Sequence, residues 1–323
     1  MQTRRLGRLW PVSALTLGGG GIGQVWGPTT REESVATIRE AVERGVTLVD
    51  LAPTYGDGEA ERAVGEAFAG RLPDGVRVTT KHGLGTVPAG EVEGRLRASL
   101  EASLERTRLD RVDLFFLHST IVPDDGVPAD PALAARATAR RLFVEAARPA
   151  FERLVTEGRV GAWGITGIGV PSAVIATLGE DPAPGAVQCI ANLLDSPGAL
   201  RRSEEPARPR EIMRAAKARG VGVMGIRAVQ AGALADAFDR PLAGDHADMR
   251  DYRLAAPFRA LARELGVSAA YLAHRYALSM ADVDTVVLGV KNREELRECL
   301  RAEADGPLAS DVIARIDAAV GRA

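Results

Sequence analysis

Four residues in this chain have side chains that can move a proton or steady a developing charge. Each stands at or just beyond the end of an apolar run. Asp50 closes the run Val46–Leu51, and Tyr55 follows a short step later. Lys81 directly follows Val76–Thr80, and His118 directly follows Val112–Leu117. Such a set suits acid–base chemistry at a carbonyl or alcohol oxygen. A phenol with an ordinary pKa near ~10 gives up its proton poorly at neutral pH. An ammonium beside it favours the phenolate, and a carboxylate beside the ammonium keeps the ammonium charged. A histidine can hydrogen-bond the substrate oxygen and orient it. Together these groups would protonate a carbonyl oxygen while hydride reaches the carbon, and would run in reverse on an alcohol.

Residues so far apart in sequence converge only if the fold gathers strand ends at one place. The chain supplies the strands. Apolar, β-rich runs occur at Val12–Leu17, Val46–Leu51, Val76–Thr80, Val112–Leu117, Val160–Ile165, Ala186–Ile190, Val221–Ile226 and Thr285–Leu288. A helical pattern follows each one; Leu96, Leu100 and Leu104, for example, recur every fourth residue. Parallel strands covered on both faces read as continuous apolar runs of this kind. Eight strand–helix units in 323 residues predict an α/β chain folded as a (β/α)8 TIM barrel, with residues 1–323 as one domain. Thr3–Leu6 is expected to form an N-terminal β-hairpin with the first run, and Ala309–Val320 an extra C-terminal helix. Three long connections follow strand ends. They are 119–140, 193–208 with Arg201, Arg202, Glu204 and Glu205, and 228–253 with His246. In a barrel they lie on the catalytic face and would shape the pocket.

Gly18, Gly20 and Gly23 match G-x-G-x-x-G, and Asp50 stands where a ribose-binding acid would follow. That fingerprint requires a helix opening at the glycines, so that its N-terminus meets a pyrophosphate. Here Gln24–Thr30 precede the first helical period, so the glycines read as a loop rather than a Rossmann turn. Other classes are disfavoured by composition. A net charge of −2 gives no bulk attraction to nucleic acid or to an anionic membrane. No apolar run approaches the ~20 residues that span a bilayer. Cys189 and Cys299 show neither metal spacing nor a disulfide framework, which fits a reducing, cytoplasmic setting. A metal-dependent barrel hydrolase would need more strand-end carboxylates or histidines than Asp50 and His118, so no metal is expected.

The strand ends resemble those of the aldo-keto reductase superfamily, and the likeness covers nearly the whole chain. Asp50-Leu51-Ala52-Pro53-Thr54-Tyr55-Gly56 is similar to the family's aspartate–tyrosine signature. Thr80-Lys81 and Leu117-His118 are similar to the strand ends that carry its lysine and histidine. Glu157–Thr166 is similar to the run entering its cofactor site, and Gly289-Val290-Lys291-Asn292 to its adenosine-phosphate clamp. The resemblance implies Tyr55 as general acid/base, Lys81 tuning it, Asp50 paired with Lys81, and His118 orienting the carbonyl. It implies NADP(H) as cofactor, with NAD(H) as the other candidate. Thr166 and Gln188 would hold the nicotinamide carboxamide, and Lys291 and Asn292, beside Gly289, the 2′-phosphate. Arg227 would meet the pyrophosphate or an anionic substrate. Glu295, near the clamp, would repel a 2′-phosphate if it pointed inward.

Three positions depart from the family pattern: Gly167 replaces an asparagine at the carboxamide, Ile226 a stacking tyrosine, and Cys299 an asparagine at the adenine. Gly225–Leu234 looks more like the sugar- and lactol-oxidising members. The implied activity is hydride transfer between NADP(H) and a small-molecule carbonyl or alcohol, with NAD(P)-dependent aldose (lactol) dehydrogenase chemistry as the alternative. A reading from another class is a cofactor-binding regulatory barrel without turnover. The intact Asp50, Tyr55, Lys81 and His118 set weighs against it. None of these motifs encodes an oligomeric state.

Overall fold

Eight parallel strands close on themselves in chain order. They are β1 (Leu15–Gly18), β2 (Leu48–Asp50), β3 (Arg77–His82), β4 (Val112–Leu117), β5 (Val160–Thr166), β6 (Ala186–Ile190), β7 (Gly222–Ile226) and β8 (Thr285–Leu288). The β8–β1 pair, with Leu288 opposite Leu17, completes the ring. This is the (β/α)8 barrel that the alternating runs predict. The computed structural model describes residues 1–201, 203–238 and 240–322; Arg202, named among the loop charges, lies outside them.

Apolar side chains pack in two places. Between strands and outer helices lies a continuous core that includes Ile38, Leu96, Leu100, Phe115, Phe151 and Leu272. Inside the barrel, Leu6, Val12, Leu48, Leu114, Phe116, Ala186 and Met224 form a separate plug. Leu6 and Val12 come from the N-terminal hairpin, in which Thr3–Arg5 pairs antiparallel with Pro11–Ser13. The first apolar run therefore divides. Residues 11–13 belong to the hairpin, and only Leu15–Gly18 enters the barrel. Gly222 opens β7 where a Cβ would stand 2.6 Å from the Leu6 side chain, so the hairpin can seat closely against the strand ends.

Local signals set the helix starts. Thr30 caps Arg31–Glu43, Ser268 caps Ala269–Leu278 and Asn292 caps Arg293–Ala304, each by accepting a backbone N–H of the first turn. A further helix, Ser310–Ala319, ends the fold as expected.

The three long connections are more ordered than their composition suggests. The first contains two short paired strands, Thr120–Val122 and Ala137–Ala139. The third contains the helix Ala247–Leu254, capped by His246. A helical turn, Gly19–Ile22, also opens directly after β1, where the sequence suggests only loop. That turn is packed rather than free. A Cβ at Gly21 would lie 2.0 Å from the Val290 carbonyl oxygen, and one at Gly23 would lie 2.8 Å from Tyr55 backbone. The glycines let the β1 end press between the segments that carry Tyr55 and Lys291.

Candidate active site

Strand register explains how the polar groups meet. Asp50 ends β2 opposite Thr79 of β3. Thr79 and Lys81 are two residues apart, so both face the barrel interior, while Thr80 faces outward. Thr80 accordingly donates to Glu61 on the surrounding helix Glu59–Phe68, at 2.6 Å. Lys81 Nζ donates to Asp50 Oδ2 at 2.8 Å, to the Leu51 carbonyl oxygen at 2.7 Å and to Tyr55 Oη at 3.2 Å. An ammonium has three donors, and all three are used. The other Asp50 oxygen accepts from Thr79 Oγ1 and from Gln188 Nε2, each at 2.6 Å. Lys81 and Asp50 are both fully buried, so the pair is tolerable only because its hydrogen bonds are so completely met.

The electrostatics follow from this packing. Burial works against the Lys81 ammonium, but Asp50 and Tyr55 outweigh it and its pKa stands above the ordinary lysine value. Burial pushes the Tyr55 phenol up, and the pull of Lys81 in the other direction does not overcome it. The sequence argument has the net shift of Tyr55 downward; the protein holds it upward, because desolvation of a buried phenolate costs more than the neighbouring ammonium returns. His118 stands edge-on to the Tyr55 ring, 6.1 Å between centroids. Burial, followed by the positive charge of Lys81, pushes its pKa down to about 3. At neutral pH this corner presents a protonated phenol and a neutral imidazole.

Asp50, Tyr55, His118 and Gln188 line one end of a cavity of about 480 Å³. Its wall continues past Gly18, Gly20 and Trp26 to Gly289, Lys291, Glu295 and Cys299. A Cβ at Gly20 would meet Trp26 Nε1 at 2.9 Å, and one at Gly289 would meet it at 3.2 Å, so glycine at both places keeps the groove open beside the indole. Arg227 also lines the cavity. Its backbone is left-handed, with φ 58°. Its guanidinium donates to Gln230 Oε1 and Asp248 Oδ1, both at 2.8 Å. Asp248 in turn accepts the Ala199 amide, and Asp251 accepts from Ser196 and Gln230, which ties the second long connection to the third. The cavity wall draws heavily on the third connection, including Ala228, Val229, Ala231 and Ala235, and touches the second at Leu200.

Some expected residues sit elsewhere. Thr166 is buried outside the cavity lining, and its hydroxyl donates to the carbonyls of Leu117 and Ser119 at 3.2 Å. Its side chain ties β5 to the end of β4. Asn292 is also outside the lining, and its Oδ1 accepts the Glu295 amide as a helix cap. Gln188 is at the cavity, but its Nε2 is engaged by Asp50. Thr79 escaped the sequence reading, although its place two residues before Lys81 on one strand was the available signal. The Arg227 partners Gln230, Asp248 and Asp251 left no such signal, because they come from separate turns of one irregular segment. Among the described residues, no group of three or more histidines, cysteines or carboxylates is placed to hold a metal ion. Nor is any helix long and apolar enough to cross a membrane.

Residues 14–320 match the aldo/keto reductase family. An L-galactose dehydrogenase of Arabidopsis thaliana is 25% identical over 293 residues, covering 90% of this chain and 84% of that protein. The fold also superposes on an aldo-keto reductase of Bacillus halodurans in its holo form, with TM-score 0.72 and 23% identity over 100% of this chain and 97% of that one. An aldo-keto reductase of Klebsiella pneumoniae in complex with NADPH gives TM-score 0.68 and 21% identity over 98% of this chain and 94% of that one. At these identities the solved structures speak for the fold.

Proposed function

The chain belongs to the aldo/keto reductase family, and from that premise we propose that it is an NAD(P)H-dependent oxidoreductase in which Tyr55 exchanges a proton with a carbonyl or alcohol oxygen. The observation that carries the reading is Lys81 Nζ, fully buried and shared between Asp50 Oδ2 and Tyr55 Oη at the cavity end. The cavity fits a dinucleotide. It runs from that corner along glycines that leave room beside Trp26 to a distant end with Lys291 and Glu295. Gln188 would stand at the nicotinamide end, Arg227 along the middle, and Gly289, Lys291 and Glu295 at the adenosine end. When bound, the dinucleotide supplies or takes up the hydride. The raised Tyr55 pKa keeps its proton in place until a carbonyl oxygen gains negative charge. Tyr55 then gives that proton up, and Lys81 stabilises the phenolate left behind. His118, kept neutral, hydrogen-bonds the same oxygen and fixes its direction. Thr166, whose hydroxyl steadies the strand end, and Asn292, whose Oδ1 caps the helix start, would stand beside the nicotinamide and adenosine ends of that ligand.

A sugar-oxidising version of the chemistry has its own support. A relative that matches 90% of this chain is named an L-galactose dehydrogenase, and Gly225–Leu234 resembles lactol-oxidising members. We propose residues 1–323 as one catalytic domain without a metal. The two cysteines are buried and unpaired, which suits a cytoplasmic setting. The test is Tyr55→Phe, assayed with aldehydes, ketones and aldoses. Turnover is expected to fall by roughly 10²–10⁴ while dinucleotide affinity changes little. Full activity in the variant would remove Tyr55 from the reaction.

A further inference from the structure

The adenosine end of the cavity holds carboxylates where a 2′-phosphate would need cations. Glu295 Oε2 accepts the Lys291 backbone amide at 2.8 Å, and Glu295 Oε1 lies 3.1 Å from Lys291 Nζ. One carboxylate therefore takes both the amide and the ammonium that would otherwise face a phosphate. The next cation along the chain is committed in the same way. Arg293 donates its backbone amide to Glu33 Oε1 at 2.9 Å and its guanidinium to both Glu33 oxygens at 2.9 and 3.1 Å. Asn292 turns its Oδ1 to the Glu295 amide as the helix cap. Glu298, which also lines this end, adds a second carboxylate and accepts from Ser268. Arg240 lines the cavity too, but its guanidinium lies over the Trp26 ring and donates to the Ala231 carbonyl.

We propose that Glu295 is the residue that selects the cofactor, accepting a ribose 2′-hydroxyl and opposing a 2′-phosphate, so that NADH binds more tightly than NADPH. This rests on the reading that the cavity holds a nicotinamide dinucleotide. A carboxylate offers about four lone-pair positions, and Lys291 uses two of them, one on each oxygen. A ribose hydroxyl can donate to those that remain, as an acid does at the 2′-hydroxyl in other dinucleotide sites. A phosphate in the same place sets two anions side by side, or must displace Glu295 from Lys291 at the cost of that contact.

The test is a binding titration of the full chain with NADH and with NADPH, read by tryptophan fluorescence, with Trp26 in the cavity wall as reporter. Wild type is expected to bind NADH about tenfold or more tightly than NADPH. Glu295→Gln should raise NADPH affinity about tenfold while NADH affinity falls by no more than about fivefold, the scale of one weakened hydrogen bond. Adding Lys291→Met to that variant should take the NADPH gain away again. Retained NADH binding in Glu295→Gln shows that the variant is folded. Wild type binding NADPH as tightly as NADH, or a Glu295→Gln variant with an unchanged ratio, overturns the role of Glu295 and leaves the dinucleotide reading standing. Binding of neither nucleotide overturns both.

Discussion

The two mouths of this barrel are built by opposite physics. At the N-terminal mouth, hairpin residues Leu6 and Val12 close an apolar plug with Leu48, Leu114, Phe116, Ala186 and Met224. At the C-terminal mouth, the interior positions are held by Asp50, Thr79, Lys81 and Gln188, all buried. The plug is held by area removed from water and tolerates no gap. The polar mouth is held by donors and acceptors that leave almost nothing unpaired, and an ion pair of that kind adds little net stability while losing much if one partner goes. The closed end thus supports the fold, and the open end is maintained for chemistry. Changes at the two ends should therefore separate stability from turnover.

Four substitutions or measurements test that separation, in falling order of effect. Lys81→Met leaves Asp50 buried without its cation. It should abolish turnover and also cost about 3–5 kcal/mol in denaturant unfolding. A variant that lost activity at full stability would mean that the pair is not the constraint the geometry describes. Leu6→Ala empties part of the plug and should cost about 2–5 kcal/mol, with kcat/KM of the remaining folded enzyme unchanged. A matching fall in kcat/KM would show that the two ends are coupled.

The third concerns pH. His118 has a folded pKa pushed down to about 3, below the unfolded histidine value near ~6.5. The unfolded chain therefore takes up a proton that the folded chain refuses. Stability linked to neutral His118 is fully present above that unfolded value and is lost as pH falls toward the folded one. His118→Asn should flatten the acid side of the stability curve, and the His118 ring resonances should not titrate between ~pH 5 and 8. A mid-range titration would place a protonated imidazole beside Tyr55. The smallest effect belongs to the surface. Arg95 pairs with Glu91 at 2.8 Å with both side chains about half exposed, so Arg95→Ala should change stability by less than about 0.5 kcal/mol and activity not at all.

Much of this architecture was legible in the chain because barrel strands are short and buried on both faces. The runs at Val112–Leu117, Ala186–Ile190 and Thr285–Leu288 coincide with β4, β6 and β8. Asp50, Lys81 and His118 could be picked out because each marks the polar end of an apolar run, and Tyr55 because it follows one closely. Side-chain direction was harder. Thr166 and Asn292 stand at strand-end and helix-start positions that suit a ligand, yet one hydroxyl turns to neighbouring carbonyls and one amide caps a helix. The Gly18–Gly23 segment reads as loop because four consecutive glycines carry no helical period; its turn packs closely between the Val290 and Tyr55 backbones.

By itself, the sequence determined the fold class, the order of strands and the identity of the polar strand ends, because hydrophobic period and chain order are local properties. Only the tertiary structure decided what surrounds each polar group. It raised the Tyr55 pKa rather than lowering it, closed the third connection over the cavity through Arg227 and Asp248, and laid Glu295 on Lys291. The physical reason is that desolvation and Coulomb interactions depend on distances between residues far apart in the chain. Those distances exist only once the barrel has closed.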